Sequence, residues 1–436
     1  MAKELALAEK FRNIAAVIIA IFLSLEVCYA NNKTWSKNVS VQGEKNENFV
    51  SDSKIKTVLI FPKGWEMADP IYDLGGTNPL LFSFDQLTGT PDYFTYTITH
   101  CDADWNESRL FYTDYMNGFQ QNPLNNYRFS FNTKATYAHF ELEIPNEQVA
   151  LKLSGNYVIR VYGSASSDKP VIQWRFRVVE QAVGITFRAR QSVDPRLVMT
   201  HQQLDCEVFY QDLPVTDPFS DLKLIIEQNT IPNNLTPTPQ FSRPGSAEYS
   251  GLDRLIFNGL NEWRSFDTRS VQYNSVNIEE IKFAAENYHV LLKQDVSRAR
   301  AKYVSQPDFN GRTSIQGERD YDTGIELEYP IVYFTLSMEE LLNDNVYVVG
   351  NFTNFEYSDT YKMVYNYERS AYELALPLKQ GYYNYMYAVK GQNSTEPNLS
   401  KLEGSHSETE NSYSVYVYYR QPGTRYDRLV GYVRMN

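Results

Sequence analysis

Apolar and polar residues alternate with a period of two along much of this chain, in short runs separated by turn residues. In the run Tyr93–His100, three apolar or aromatic residues share one face with the histidine, and three threonines share the other. This period predicts half-buried β-strands, because successive side chains of a strand point to opposite faces. Similar runs recur without a long amphipathic helix, so we predict an all-β fold of three consecutive immunoglobulin-like β-sandwich domains.

The N-terminal residues form a different pattern. Basic residues precede an apolar run from Ile14 to Leu25, and Cys28-Tyr29-Ala30 follows with small residues at the alternate positions. This is typical of a cleaved secretory signal peptide, so we predict removal of residues 1–30. A lipid-modified Cys28 is the alternative, but Leu25-Glu26-Val27 lacks the small residues that such processing needs.

Changes in composition suggest where the domains begin and end. Residues 31–54 are polar and are predicted to form a flexible leader. We expect the first sandwich at residues 55–181, the middle one at 182–295 and the last at 330–436. The polar stretch 296–329 between the last two is interpreted as a linker or as an extended segment laid over a neighbour.

The composition supports a folded, exported protein. Of the 436 residues, 42% are apolar and 14% are aromatic, which is enough for several cores and favours strands. A net charge of −12 argues against sequence-independent binding of nucleic acid and against anionic lipid surfaces. No later segment has the roughly 18 continuous apolar residues of a membrane span. We therefore expect a soluble exported chain.

Two cysteines follow the predicted cleavage site, Cys101 and Cys206. Cys206 shares a strand face with Leu204, Val208 and Tyr210, which favours a small buried hydrophobic residue. The two thiols are expected in different domains, so a disulfide between them is not the favoured interpretation.

The stretch Thr99-His100-Cys101-Asp102-Ala103-Asp104-Trp105 concentrates groups that can bind metals. His100 and Cys101 are adjacent on a strand and face opposite ways, which disfavours a shared zinc ion. Asp102 and Asp104 start a calcium-loop spacing, but the glycine and the final glutamate of such a loop are missing. We favour a strand-ending turn capped by aspartate and anchored by Trp105, with a metalloenzyme as an open alternative.

Catalytic signatures are missing elsewhere in the sequence. The chain has no G-x-S-x-G elbow, no H-E-x-x-H pair and no glycine-rich phosphate-binding loop. We therefore predict that the chain is not an enzyme and carries no cofactor or metal.

Two further segments combine charged and aromatic residues in a way that suits partner contacts. One is the alternating run Gly259–Arg269, for which a solvated strand face with cross-strand ion pairs is the simpler interpretation. The other is Arg425–Arg428, which follows the last strong strand and could instead clamp two domains together. The candidate contact residues are Asp102, Asp104, Trp105, Glu262, Arg264, Asp267, Arg425, Tyr426 and Arg428.

The last predicted domain has a strongly aromatic face. Its segments Val346–Phe355 and Gly381–Tyr385 resemble the glycogen-binding family of early-set sandwich modules, which stack sugars on exposed tryptophans. Phe355 stands where that family has the tryptophan. Glycan binding is therefore kept as an alternative, and exposure of Tyr383, Tyr385 and Tyr387 would favour it.

A second resemblance covers nearly the whole mature chain, in order. Its carriers are Leu81–Leu87, Thr99–Trp105, Phe129–Thr133, Leu153–Tyr157, Asn261–Asp267, Lys379–Tyr385, Gly404–Asn411 and Arg425–Leu429. Together they resemble the plug protein family of the type IX secretion system.

This resemblance implies a non-enzymatic periplasmic protein that binds a large outer-membrane β-barrel translocon. Such a protein would seal the periplasmic opening of the channel when no cargo is engaged. We expect a single copy in that complex, with no membrane span of its own. A channel plug must release its partner, so its interface should be polar and moderate in affinity.

Overall fold

The alternating runs before residue 181 form a two-sheet sandwich. The computed structural model describes residues 46–164, 168–231, 234–251, 255–318, 321–391 and 397–435, so the predicted signal peptide and most of the leader lie outside it. The elements are β1 (Phe49–Val50), β2 (Ile55–Pro62), β3 (Ile71–Asp73), β4 (Leu80–Gln86), β5 (Phe94–Cys101), α1 (Tyr112–Tyr115), β6 (Met116–Gly118), β7 (Gln121–Leu124), β8 (Tyr127–Phe129), β9 (Ala138–Ile144), β10 (Val149–Leu151), β11 (Gly155–Gly163) and β12 (Ile172–Val179).

The two sheets of this first sandwich bury the predicted apolar faces. One sheet has the order β1-β12-β11-β5-β7, with β3 parallel to β12, and the other has the order β2-β4-β9-β8. Phe94, Tyr96 and Ile98 of β5 are at most 2% exposed. The rings of Phe84 and Phe140 stack between the sheets with centroids 4.9 Å apart. Each fully buried ring of this kind stabilises the fold by about 1.5–3 kcal/mol.

The regular secondary structure of the remaining chain is also almost entirely β-strand, which confirms the all-β prediction. Its elements are β13 (Gly184–Gln191), β14 (His201–Phe209), α2 (Pro218–Asp221), β15 (Leu222–Gln228), β16 (Asn234–Leu235), β17 (Phe241–Arg243), β18 (Ser246–Tyr249), β19 (Ile256–Asn258), β20 (Arg264–Asp267), β21 (Ile278–Ala284), β22 (Asn287–Leu292), β23 (Asp295–Val296), β24 (Thr313–Ile315), β25 (Ile331–Ser337), β26 (Asp344–Val349), a 3₁₀-helix (Asn351–Thr353), β27 (Val364–Asn366), β28 (Ala371–Pro377), β29 (Gly381–Gly391), α3 (Ser400–Glu403), β30 (Tyr413–Tyr419) and β31 (Arg428–Met435). Within the described ranges, no helix has the length and apolar character needed to cross a lipid bilayer.

Strand pairing in this part does not follow the order of the chain. The second sandwich joins the sheet β13-β14-β18-β17 to the sheet β16-β15-β30-β31, so its last two strands come from the C-terminus. The third sandwich packs β29, with β20, β24 and β26, against the sheet β21-β22-β25-β28-β27. The third sandwich is therefore inserted into the second, and the predicted boundaries at 182–295 and 330–436 cut across this pairing.

The polar stretch 296–329 is extended and contributes β24. Its last part lies over the first sandwich, where Phe131 N–H donates to the Ile325 carbonyl at 2.8 Å and Tyr137 Oη donates to the Leu327 carbonyl at 3.0 Å. A buried ion pair is close by, between Asp85 of β4 and Lys379 just before β29, with oxygen and nitrogen 2.6 Å apart. The segment therefore ties the first sandwich to the third.

Asp69 of the first sandwich receives side-chain contacts from both of the other sandwiches. It precedes β3, is 5% exposed and pairs with Arg312, which precedes β24. Its other oxygen accepts hydrogen bonds from Ser414 Oγ at 2.7 Å and Tyr432 Oη at 2.6 Å, and Arg434 Nη1 lies 3.7 Å away. Burial opposes ionisation, but the two guanidinium groups outweigh it and hold the pKa of Asp69 well below its usual range.

Replacing Asp69 by Asn should destabilise the whole chain. The change keeps the size of the side chain but leaves two guanidinium groups near one another without their carboxylate. We expect a loss of about 3–5 kcal/mol in the free energy of unfolding, measured by urea denaturation at pH 7. The control is Asp212→Asn at an exposed loop position. Equal stabilities of the two variants would contradict a central role for Asp69.

Candidate interaction surface

The stretch Thr99–Trp105 ends β5 in a tight turn. Asp102 Oδ1 accepts hydrogen bonds from the backbone N–H groups of Asp104 and Asn106, each at 2.9 Å. Trp105 has a φ of 68°, so the chain reverses there in the left-handed region. This is the aspartate-capped turn that the sequence indicates.

Trp105 is buried against the first sandwich rather than exposed, beside Cys101 and Val158. The guanidinium groups of Arg175 and Arg177 lie 4.5 and 5.0 Å from its ring centroid. Arg177 also lies 3.8 Å from the ring centroid of Tyr416 on β30 and donates to Glu227 Oε1 of β15 at 2.6 Å. Cation–π contacts of this kind are strongest where water is excluded. Arg177 therefore links the two sandwiches, and Trp105 packs against it from the first.

The segment Arg425–Arg428 completes this contact. Asp427 accepts a hydrogen bond from Ala103 N–H at 2.9 Å, and Arg420 pairs with the same carboxylate at 2.6 Å. Arg428 forms a bidentate pair with Glu180, with both distances 2.8 Å. We call the set Trp105, Arg177, Tyr416, Asp427 and Arg428 the first–second joint. It corresponds to the clamp that was the alternative interpretation of this segment.

His100 and Cys101 are buried structural residues at the same joint. His100 Nε2 donates to the Ser154 carbonyl at 3.1 Å, and Nδ1 lies 2.8 Å from Ser108 Oγ. Burial lowers the pKa of His100 to about 4, so its imidazole is neutral. Gly155 has a φ of 137°, and a Cβ there would lie 2.5 Å from His100 Nε2. Only glycine fits this close approach.

Among the described residues, the two cysteines form no disulfide and the residue types that bind metals form no cluster. Cys101 and Cys206 are free and buried in different sandwiches, and burial raises the pKa of each thiol to about 12. Across the described residues, no group of three or more His, Cys, Asp or Glu side chains is arranged to hold a metal ion.

Three more candidate residues are buried where the chain crosses between the second and third sandwiches. Glu262, Arg264 and Asp267 are 2%, 8% and 4% exposed. Arg264 pairs with Asp295 at 2.5 Å and with Glu403 at 3.0 Å. Their side chains contact other residues of the same chain. We therefore assign them to stabilising this crossing rather than to binding a partner.

The crossing also contains two neighbouring carboxyl groups. Asp308 accepts hydrogen bonds from Trp263 N–H at 2.5 Å and from Asn310 N–H at 2.7 Å. Glu262 accepts from Tyr303 Oη at 2.5 Å and interacts with the Asp308 side chain. Burial, followed by the nearby Glu262 charge, raises the pKa of Asp308 to about 6. The folded chain therefore holds a proton here that the unfolded chain releases near pH 4.

The aromatic face of the third sandwich is not open to a ligand. Tyr383, Tyr385 and Tyr387 are at most 2% exposed, and the Tyr383 ring stacks on Phe266 with centroids 4.9 Å apart. Phe355 is also buried, with its ring beside Trp263. Sugars stack on exposed rings, so these residues offer no glycan platform.

Two predicted candidates meet at one surface cleft. The joint cleft, of about 770 Å³, lies beside the first–second joint and is lined by Asp102, Asn106, Glu107, Ser108, Arg109, Arg420 and Arg425. Asp104 is exposed nearby and pairs with Lys223 of β15, and Tyr426 is partly buried with its ring 5.9 Å from that of His100. Sequence reasoning missed Arg109 and Arg420, although Arg109 lies four residues after Trp105 and Arg420 five residues before Arg425.

Replacing Glu262 by Gln should change how stability depends on pH. Because the pKa of Asp308 is raised on folding, its contribution is fully present below about pH 4 and is lost as the pH rises through 6. Removing the Glu262 charge lowers that pKa, so the loss between pH 5 and 7 should shrink by about 1 kcal/mol. Urea unfolding at pH 5 and at pH 7 measures this change in the free energy of unfolding. The control is the exposed Glu279→Gln variant. Identical pH slopes for wild type and Glu262→Gln would refute the coupling.

Comparisons with known proteins identify a solved structure of similar fold and a matching family model. A crystal structure of a hypothetical protein from Parabacteroides merdae ATCC 43184 is 34% identical, with a TM-score of 0.87 over 90% of this chain and 100% of that chain. No curated protein matches the chain.

Two further solved structures are much less similar. One is a pullulanase from Anoxybacillus sp. LM18-11, at 10% identity and a TM-score of 0.14, covering 60% of this chain and 29% of that chain. The other is a trypsin-activated alpha-2-macroglobulin from Escherichia coli, at 10% identity and a TM-score of 0.19, covering 86% and 27%. Scores this low carry no argument about fold or function.

The family model that matches is described as the type 9 secretion system plug protein 1st domain, over residues 55–180. This range coincides with the first sandwich. The match indicates a role related to type IX secretion in an envelope-associated protein. The match of its first sandwich therefore identifies the chain as a member of a type IX secretion plug-like family.

Proposed function

We propose that this chain is a non-enzymatic periplasmic plug subunit. It binds the large outer-membrane β-barrel translocon of type IX secretion, as a single copy, and seals the periplasmic opening when no cargo is engaged. The observation that carries the proposal is the match of residues 55–180 to the plug domain family. The predicted signal peptide supports export to the periplasm.

The way the sandwiches are joined supports this proposal physically. A stopper over a wide water-filled pore must keep its shape, because a hinged one would let solutes pass around it. Residues 45–436 form one compact unit, and Asp69 and Lys379 connect sandwiches through buried ion pairs. Buried polar contacts fix one arrangement because leaving them unpaired is costly.

The surface of the first sandwich offers further support. Phe111, Phe119 and Phe131 are 80%, 75% and 64% exposed. Large exposed aromatic side chains are enriched where proteins bind one another. A polar surface that also presents a few such rings suits an interface that must form and release.

Adding the purified chain to the translocon should close it. The channel is isolated from cells that lack this chain and is reconstituted in a planar lipid bilayer, where its ionic current is recorded. We expect the current to fall when the chain is added on the periplasmic face and to stay unchanged when it is added on the other face. An unrelated outer-membrane channel is the control.

An unchanged current in the presence of bound chain would overturn the sealing role. Failure of the chain to co-purify with the translocon would overturn the partner assignment. Glycan binding is the remaining alternative from the sequence, and no structural observation favours it, because the aromatic face on which it depended is buried.

A further inference from the structure

The joint cleft combines loops from two sandwiches. Asp102 to Arg109 follow β5 of the first sandwich, while Arg420 and Arg425 lie between β30 and β31 of the second. Its volume of about 770 Å³ falls in the usual range of ligand-binding clefts. Because both loops are held by the first–second joint, the cleft keeps its shape without an added ligand.

The acidic groups of the joint cleft already have partners. Asp102 Oδ1 accepts two backbone hydrogen bonds at 2.9 Å, and Glu107 pairs with Arg160 at 2.6 Å. Arg420 is engaged as well, through its pair with Asp427 at 2.6 Å. None of these groups needs a ligand to balance it.

Arg109 and Arg425 differ from the other charged residues of the cleft. Both are exposed, and neither forms a hydrogen bond or an ion pair with any residue that the structure describes. Two free guanidinium groups thus face one cleft on a protein whose net charge is −12. Arginine binds carboxylates through two parallel hydrogen bonds, which makes a carboxylate the complementary ligand.

The chain's own leader is a poor candidate for this position. Residues 31–45 contain Lys33, Lys37 and Lys45 against the single acid Glu44, so the segment is basic. A basic segment would be repelled by the two free arginines. Charge complementarity therefore favours an acidic segment from another protein.

We propose that the joint cleft is the docking site for an acidic peptide segment of the translocon, held by Arg109 and Arg425. The identity of the partner rests on the proposed function. The acidic chemistry of the ligand does not depend on it. The site lies across the contact between two sandwiches, so a bound segment would hold both of them.

A labelled six-residue glutamate peptide tests the chemistry without the translocon. At low salt it should bind the full-length mature chain, while a six-residue glutamine peptide should not. Double replacement Arg109→Glu and Arg425→Glu should weaken binding at least about tenfold. Raising the salt to about 0.5 M should also weaken it, because exposed charges are screened.

The matched control is the double variant Arg300→Glu and Lys302→Glu. Both residues are exposed and lie away from the cleft, and the change in net charge is the same. Binding should stay within about twofold of wild type in this control. Equal weakening in both variants, or no binding of the glutamate peptide to wild type, would overturn the proposal. Thermal unfolding verifies that both variants fold.

Capture of the detergent-solubilised translocon by the same chains separates the two proposals. Loss of capture in the Arg109→Glu, Arg425→Glu chain alone supports the cleft as the docking site. Capture that is unchanged in this chain overturns it, whatever the peptide does. If wild type captures no channel but binds the glutamate peptide, the proposed function fails while the acidic-ligand chemistry is supported.

Discussion

The ionised carboxylate of Asp69 is the constraint on which the arrangement of this molecule depends. A buried charge is tolerated only when oppositely charged and hydrogen-bonding groups surround it. Here those groups come from the other two sandwiches, through Arg312 on one side and Ser414 and Tyr432 on the other. If the sandwiches moved apart at this point, the carboxylate and the two guanidinium groups would lose their buried partners together. The geometry of three domains therefore depends on one side chain in a loop of the first.

The segments that carry the family resemblance serve mainly as internal contacts. Trp105, Asp427 and Arg428 lie at the first–second joint, while Arg264 holds the crossing between the second and third sandwiches. For the plug proposed above, which must keep its shape, the contacts between domains are part of the function. The proposed contact with a partner then needs fewer residues, such as the free arginines of the joint cleft.

Much of the fold could be predicted from local patterns. The alternation of residues in β5 correctly predicted which of its faces is buried, because side chains of a strand point to opposite faces with a period of two. The sequence also identified the turn at Asp102. Pairing between distant strands could not be predicted, since nothing in the run Tyr413–Tyr419 says that its neighbour is Leu222–Gln228. Burial of Glu262 and Arg264 was missed for a similar reason, because their partners Tyr303 and Glu403 are remote in sequence.

The insertion of the third sandwich into the second has a consequence for the order of folding. If the chain is exported as proposed, N-terminus first, β15 is delivered long before β30, its neighbour in the sheet. Until the last strands arrive, the hydrogen-bonding edge of β15 has no partner, and open edges invite pairing with other chains. The first and third sandwiches have all their strands earlier. The second sandwich is therefore complete only when the last two strands are available. A chain cut short in its last 25 or so residues would present an open sheet to chaperones and proteases.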